Sequence, residues 1–404
     1  MSKPRVYFYC RDDVGNLQED VVALAEGFLA LGVPFSGSSN YWLRSTRPND
    51  YLIRYNPDIT PDDCDVVVVS YTWSSWMRGR TFDVLRRPLP ENLFKQRRRY
   101  LTVCMDNHDG HRSVSWEPEF RQFDAIFRSH MNRRAWHPEN LRPWVLGLNN
   151  RIIEATPDGV LFAKRRQCIL VNFGASHPYS HGTRDLASAR FGTKISRLLE
   201  IDITRDDLSN PPVDPFDVLL WQQTGGRFSR QYYQRLGQSQ AVACFCGEMI
   251  PPMPFRNPEC YLVGGNRAKI RRGVYELLGR FDSRPPRSIQ WDSFRFWETL
   301  AAGAVAFNLD LEHYGVEIPV MPVNWTHYVG VNLGRVDDTI ERLEGEPKAL
   351  ERIGRAGRLW ALEHYAPRPM AERFLRALDM WPSGPTTQCE SPVATKVPEV
   401  RGVL

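Results

Sequence analysis

Long apolar runs and two sets of closely paired cysteines are missing from this sequence, and its first residues do not predict a secretion leader. No apolar stretch approaches the roughly 20 residues that a helix needs to cross a bilayer, and residues 1–10 lack the apolar core and cleavage site of a leader. The 8 cysteines are scattered, without the two close pairs of a structural zinc site. The sequence therefore predicts a cytoplasmic chain with reduced cysteines and no membrane span.

A strong charge of one sign is missing as well. The formal net charge is +5 over 404 residues, whereas nucleic-acid binders usually concentrate a larger basic excess on one element. Composition thus predicts no nucleic-acid partner. Hydrophobic residues make up 42% and charged residues 25%; these values are ordinary for globular proteins, and the length suits two or three domains.

The first half of the chain alternates apolar runs with amphipathic stretches. Residues 6–10, 65–71, 100–105 and 124–128 are typical of buried parallel strands. A helix is predicted over residues 17–31, where apolar side chains recur at helical spacing. This alternation predicts an α/β, Rossmann-like domain in the first 155 residues, followed by a short polar linker.

A second series of the same kind follows the linker and predicts another Rossmann-like, doubly wound domain over residues 160–366. Its predicted strands cover 168–173, 217–221, 241–245, 304–309 and 329–333, and its predicted helices cover 182–199, 230–237, 293–302, 336–343 and 348–365. A last helix, at 370–378, lies in a separate segment, 367–381. Residues 382–404 are proline-rich and aperiodic, which predicts a disordered tail.

The segment 288–310 carries the strongest functional signal. Asp292 or Ser293 can cap the helix that follows, because short side-chain oxygens bind its free amides. The same amides and the helix dipole suit an anion such as a diphosphate. Arg295 falls in the first turn, from which a guanidinium can grip phosphate with two hydrogen bonds.

Glu298 stands three residues after Arg295, on the same helical face. A carboxylate in that position can accept both hydroxyls of a ribose. The alternative is a surface ion pair between Arg295 and Glu298, which would contribute only a few tenths of a kcal/mol. The small residues 301–303 favour the binding interpretation, because they let the helix end close to the next buried strand.

Residues 292–307 (DSFRFWETLAAGAVAF) and 313–331 resemble the donor-binding region of GT-B glycosyltransferases, particularly exostosin-like ones. The resemblance extends over residues 222–378. It implies two Rossmann-like domains facing a cleft, with the C-terminal helix crossing back to the first. By position in the motif, Ser293 and Arg295 would meet the diphosphate and Glu298 the ribose. Retaining relatives often carry a second Glu eight positions earlier; Gln290 stands there, which leaves retention or inversion open.

The resemblance implies a glycosyltransferase, hexosyl or related, that moves a sugar from a nucleotide-diphosphate sugar to a hydroxyl of a glycan or small molecule. The donor is a co-substrate, and no resident cofactor or metal is expected. Three alternatives stay open at this point. They are a sugar-nucleotide epimerase on the same fold, a non-catalytic nucleotide-sugar or glycan binder, and a nucleic-acid binder.

Other donor-side candidates lie upstream. Gly174 follows the first strand of the second domain, where its turn can cradle phosphate, and Arg184 can add charge. A plain tight turn is the alternative for Gly174. Lys269 belongs to a glycine-led basic loop, 264–272, which either closes over the diphosphate or is simply a solvated helix start.

The acceptor side has weaker signals. His108 and Asp109 lie in the acidic and histidine-rich loop 106–111, which suggests either a divalent metal or, in our interpretation, contact with the acceptor. An inverting transfer needs a general base at the acceptor hydroxyl. Asp109 is one candidate for that base.

A second polar turn follows the first strand. It offers Asp13 as the other candidate base and Asp12 as an acceptor contact. Trp73 comes just after a strand end, so its ring can stack on a sugar; the alternative is an ordinary core residue. For each acidic residue, the alternative is a carboxylate that stabilises a turn.

Overall fold

The protein is known here from a computed structural model that describes most of the chain. The described residues are 3–11, 19–73, 75–77, 84–86, 88–107, 118–157, 160–173, 182–205, 210–250, 286–346 and 348–380. The predicted tail, 382–404, lies outside them. Among the described residues, no helix is long and apolar enough to cross a bilayer.

Strands and helices alternate along both halves of the described chain. The strands are β1 (Val6–Tyr9), β2 (Phe35–Gly37), β3 (Tyr41–Leu43), β4 (Tyr51–Ile53), β5 (Val66–Ser70), β6 (Ser75–Met77), β7 (Val84–Arg86), β8 (Leu101–Asp106), β9 (Ala125–Arg128), β10 (Leu141–Pro143), β11 (Arg166–Leu170), β12 (Glu200–Asp202), β13 (Ser239–Ala243), β14 (Glu248–Ile250), β15 (Arg287–Ile289), β16 (Val305–Leu309) and β17 (Val329–Val331). The helices are α1 (Glu19–Leu31), α2 (Asn150–Ala155), α3 (Gly182–Ala187), α4 (Thr193–Ile195), α5 (Pro215–Gln223), α6 (Arg230–Gln238), α7 (Phe294–Ala301), α8 (Val336–Gly345), α9 (Ala349–Tyr365) and α10 (Pro367–Ala377). A π-helical stretch, Ser188–Gly192, joins α3 to α4.

The first sheet is parallel, with strand order β10-β9-β8-β5-β1-β2. Its β5 strand is buried at every residue, as expected of a strand covered on both faces. After β1 the chain winds first to one side and then, from β5 onward, to the other. This reversal places a topological switch point between β1 and β5, where open α/β sheets bind ligands at the carboxyl ends of their strands.

The second sheet repeats this winding, with order β12-β11-β13-β16-β17 and parallel pairing throughout. Its switch point lies between β11 and β13. The predicted class, α/β with two Rossmann-like, doubly wound sheets, is therefore confirmed.

The last helix, α10, packs on the first domain. The ring of Phe374 lies 5.7 Å from that of Phe28 on α1 and 4.9 Å from that of Phe127 on β9. At Gly27 the helices touch so closely that a Cβ there would stand 2.1 Å from the Pro367 carbonyl oxygen. The C-terminal helix thus crosses back, as predicted, and completes the core of the first domain.

One predicted strand is wrong. Residues 217–221 belong to helix α5, which Asp214 caps by accepting hydrogen bonds from two backbone amides of the first turn, at 2.9 and 3.0 Å. Pro215 occupies the first helical position, which proline favours. A short apolar run fits either a strand or a buried helix turn, and the Asp-Pro start is the signal that separates the two.

Polar side chains fasten the domains to each other, and Asn132 and Gln223 are two of them. The Asn132 side-chain amide donates to the carbonyls of Ser288, at 3.1 Å, and Tyr314, at 2.8 Å. On another side, Gln223 exchanges two hydrogen bonds with the backbone of Leu43, at 2.6 and 3.1 Å. These contacts join backbone of one domain to a side chain of the other.

Candidate functional site

Helix α7 begins at an N-cap residue whose own side chain makes no capping hydrogen bond. Ser293 is its N-cap residue, with extended backbone at φ −149° and ψ 146°, but its hydroxyl makes no capping hydrogen bond. Within the described chain, the buried Ser293 hydroxyl has only the weakly bonding thiol of Cys246 beside it. The Ser293 side chain thus leaves the first-turn amides of α7 uncapped, and such amides bind anions at helix starts.

Arg295 extends from the first turn of α7 to the carboxyl end of β11. Its Nη2 donates to the Asn172 carbonyl at 2.6 Å. Its Nε is buried and has no partner in the described part of the chain. Within the described residues, the guanidinium is thus held at the switch point of the second sheet by its bond to Asn172, and its Nε is not used.

Arg184 reaches the same place from α3. Its Nε donates at 3.1 Å to the carbonyl of Phe245, which follows β13. The two guanidinium carbons lie over one aromatic ring, that of Phe173, at 5.2 Å for Arg184 and 5.7 Å for Arg295. Burial lowers the pKa of Arg184, and repulsion from Arg295 lowers it further. The switch point therefore gathers two positive charges.

Among the described residues, neither arginine is within ion-pair distance of a carboxylate, although the charge of Asp185, next in the chain, raises the pKa of Arg184. Their charge is strong enough to act on a neighbouring thiol. Burial raises the pKa of Cys246 to about 11, and both Arg184 and Arg295 oppose that rise. A site with two arginines, a serine hydroxyl and helix amides suits a group with two negative charges.

Glu298 lies on α7 with its side chain buried and does not pair with Arg295. It accepts hydrogen bonds from the hydroxyls of Tyr233, at 2.6 Å, and Tyr232, at 3.0 Å. Arg151 of α2 donates to the Tyr233 hydroxyl at 2.6 Å. Two carboxylate oxygens offer about four acceptor sites, so the two tyrosines orient Glu298 without saturating it.

The three supporting residues, Tyr232, Tyr233 and Arg151, were missed by the sequence analysis. Two adjacent tyrosines at the start of a helix that leads into a buried strand are the available signal. That pattern alone does not indicate which carboxylate the hydroxyls bind, because Glu298 lies 65 positions from Tyr233.

The sequence suggested that Asp292 could cap α7. Instead, the N-cap residue is Ser293, and the Asp292 side chain joins the two domains. Its carboxylate accepts from the Leu146 amide of the first domain at 2.7 Å and from the Trp297 indole at 2.6 Å. Its own amide donates to Nδ1 of His130 at 3.1 Å. Burial raises the pKa of Asp292 to about 7, because the surroundings disfavour the charged form.

This raised pKa predicts a pH effect on stability. The folded chain retains the Asp292 proton up to about pH 7, whereas the unfolded chain releases it near pH 4. The stabilisation from protonated Asp292 is thus complete below pH 4 and is lost as the pH rises to 7, at about 1 kcal/mol per unit. We expect the melting temperature of the wild type, minus that of Asp292→Asn, to fall between pH 5 and pH 8. A difference that stays constant over this range would contradict the assignment.

On the first domain, the described candidates are more enclosed. Trp73 follows β5, but its ring is only 8% exposed. It donates to the Pro88 carbonyl at 3.2 Å and packs edge-on against Tyr9, with ring centroids 5.3 Å apart. This packing matches the core alternative. Asp106, in the loop considered for acceptor contact, forms a buried ion pair with Arg128.

Several predicted site residues lie outside the described chain. They are Asp12, Asp13, His108, Asp109, Gly174 and Lys269. Asp12 and Asp13 come directly after Arg11, which follows β1. His108 and Asp109 come directly after Asn107, which follows β8. The Arg11 guanidinium donates to the Thr72 carbonyl at 3.3 Å, across the switch point of the first sheet.

No protein-family model and no curated protein matches the sequence. Solved structures do match. An alpha-glucosyltransferase in complex with UDP-glucose and DNA containing an abasic site is 9% identical, with a TM-score of 0.50, covering 94% of this chain and 99% of the other. Another structure, alpha-glucosyltransferase with UDP and a 13-mer DNA containing an A:G mismatch, gives the same values of 9%, 0.50, 94% and 99%. These likenesses show a GT-B fold over nearly the whole chain.

Proposed function

We propose that this chain is a glycosyltransferase that moves a sugar from a nucleotide-diphosphate sugar to a hydroxyl of a glycan or small molecule. The observation that carries the proposal is the convergence of Arg184 and Arg295, without a carboxylate partner in the described chain, at the switch point of the second sheet. The GT-B fold and the UDP or UDP-glucose bound by the similar structures support it.

The proposed chemistry is stabilisation of the leaving diphosphate. When the bond between the sugar and the diphosphate breaks, negative charge grows on the departing phosphate oxygen. Arg295 and Arg184 supply positive charge there, and the Ser293 hydroxyl and the α7 amides donate hydrogen bonds. Donors fixed before the reaction are effective because they need no reorganisation as the charge develops.

In the same proposal, Glu298 binds the ribose hydroxyls with its remaining acceptor sites, and Tyr232 and Tyr233 keep the carboxylate oriented. The acceptor side rests on sequence alone. There we propose Asp13 or Asp109 as the general base, with Asp12 and His108 as acceptor contacts. Gly174 and Lys269 complete the proposed grip on the diphosphate.

Glu298→Ala is expected to weaken donor binding more than catalysis. Loss of two hydrogen bonds to ribose, at about 1 kcal/mol each, should raise the KM for the donor by roughly tenfold or more, with a smaller change in kcat. Steady-state kinetics with varied donor measures this split. Glu341→Ala, an exposed carboxylate on α8, is the matched control. An unchanged KM in Glu298→Ala would remove the ribose role.

A panel of nucleotide sugars, screened by thermal shift and then by product analysis, tests the proposed function. A ligand at 100 times its Kd adds about 2.7 kcal/mol of apparent stability, which a melting curve detects readily. Transfer to an added acceptor supports the proposal. Binding without transfer or hydrolysis would indicate a non-catalytic binder, and product formed without acceptor would indicate an epimerase. If no nucleotide sugar shifts the melting temperature, the proposal fails.

The absence of a nucleic-acid partner, expected from composition, stays a prediction. Both similar structures contain DNA, so duplex DNA belongs in the acceptor panel. Binding to DNA that falls steeply with salt, together with sugar transfer to the DNA, would make nucleic acid the acceptor.

A further inference from the structure

Phe173 lies where the two site arginines meet. It is the third residue after β11 and is only 8% exposed. The Asn172 carbonyl, next to it in the chain, accepts a hydrogen bond from Arg295. The Phe245 carbonyl, just after the neighbouring strand β13, accepts one from Arg184. Each guanidinium is thus fixed by one backbone carbonyl and by the face of one shared ring.

We propose that Phe173 is a positioning residue that holds Arg184 and Arg295 in place without neutralising their charge. The inference rests on the proposed function, because it assigns the two cations to a diphosphate. Like charges repel, so two adjacent guanidinium groups need an attractive neighbour. A carboxylate would supply that attraction, but it would also cancel the charge that the substrate needs.

An aromatic ring resolves this conflict. Its quadrupole places negative potential over the ring face, where cations are attracted, although the ring carries no net charge. Both guanidinium groups therefore keep their full charge toward the cleft. Their remaining hydrogen-bond donors, including the unpartnered Nε of Arg295, stay available for phosphate oxygens.

The competing explanation is that Phe173 only fills the core, since it packs in the apolar cluster of the second domain. The two explanations differ in what they require of the side chain. A core role needs volume and an apolar surface, which many side chains provide. A positioning role needs the electron-rich ring face itself.

Fluorinated phenylalanines separate the two roles, because they weaken the ring quadrupole with little change in size. We would place mono-, tri- and pentafluorophenylalanine at position 173 of the full chain and measure binding of UDP and of inorganic pyrophosphate by calorimetry. The expected result is a stepwise loss of affinity with each added set of fluorines, reaching fivefold to thirtyfold, while the melting temperature stays nearly constant.

Phe191 provides a matched control. It lies in the same cluster, with its ring 5.6 Å from Phe245 and 5.4 Å from Phe307, and no arginine of the described residues stands over its face. The same fluorinated residues at position 191 should leave both affinities unchanged. Two substitutions with ordinary amino acids add a kinetic test. Phe173→Leu should raise the KM for the donor with a smaller effect on kcat, and Phe173→Tyr should restore the wild-type KM.

The outcomes distinguish this inference from the proposed function. If the wild type binds UDP or pyrophosphate and the fluorinated series at 173 is flat, the role of Phe173 is wrong and the proposed function stands. If positions 173 and 191 respond alike, packing explains the effect and the inference fails. If the wild type binds neither probe nor any nucleotide sugar, both proposals fall together.

Discussion

Arg295→Ala is expected to lower kcat/KM for sugar transfer by about 10²–10³-fold or more, the usual cost of removing one donor that faces developing charge. Arg295 lies in the first turn of α7, and its Nε has no partner in the described chain. The one hydrogen bond that its side chain makes to a described residue, the Asn172 carbonyl, contributes little to the fold. The melting temperature of the variant should therefore stay close to that of the wild type.

Two further variants sharpen this test. Arg295→Lys retains a positive charge but loses the two-pronged geometry of the guanidinium, so its activity should fall between those of the wild type and the alanine variant. Arg190→Ala is the matched control, because Arg190 also donates to one backbone carbonyl, that of Leu333, at 3.0 Å. Its activity should be unchanged. Wild-type turnover by Arg295→Ala would remove the central argument for the donor site.

Gly27→Ala is expected to destabilise the protein by about 2 kcal/mol or more, because overpacking forces a helix to shift. The added Cβ would stand 2.1 Å from the Pro367 carbonyl oxygen and 2.6 Å from the Ala371 Cβ. The first of these atoms is backbone, so α10 must move off α1 as a unit. A melting curve measures the loss directly.

A second glycine within a helix gives the opposite expectation. Gly237 lies in α6, and a Cβ there would meet nothing within 4 Å. Gly237→Ala should therefore leave stability unchanged or raise it by up to about 1 kcal/mol, the difference in helix propensity. If Gly27→Ala melts at the wild-type temperature or above it, the close contact between α1 and α10 is wrong.

The local part of the site could be predicted from the sequence. Ser293, Arg295 and Glu298 lie within six residues of one helix, and helical geometry alone determines which of them share a face. Helix α7 and the strand β16 after it form close to where their residue patterns predict them. These features depend on neighbours along the chain, which is the information that a residue pattern carries.

The non-local part could not be predicted. Arg184 and Arg295 meet because β11 and β13 are adjacent strands in the second sheet, a pairing that no spacing in the sequence specifies. Asp292 shows the same limit. Its position before α7 suggests a cap, yet its carboxylate binds the amide of Leu146, 146 residues away. The partner of a buried polar group is determined by packing between domains.

The crossing of α10 has a consequence for synthesis of the chain. A domain at the N-terminus can ordinarily fold while the ribosome is still making the rest of the protein. Here the first domain needs Phe374 against Phe28 and Phe127 to close its core, and that residue emerges more than 200 positions after β10. The N-terminal domain must therefore wait, with part of its apolar surface uncovered, until helix α10 has left the ribosome. Its core is thus completed only after the whole second domain has been synthesised.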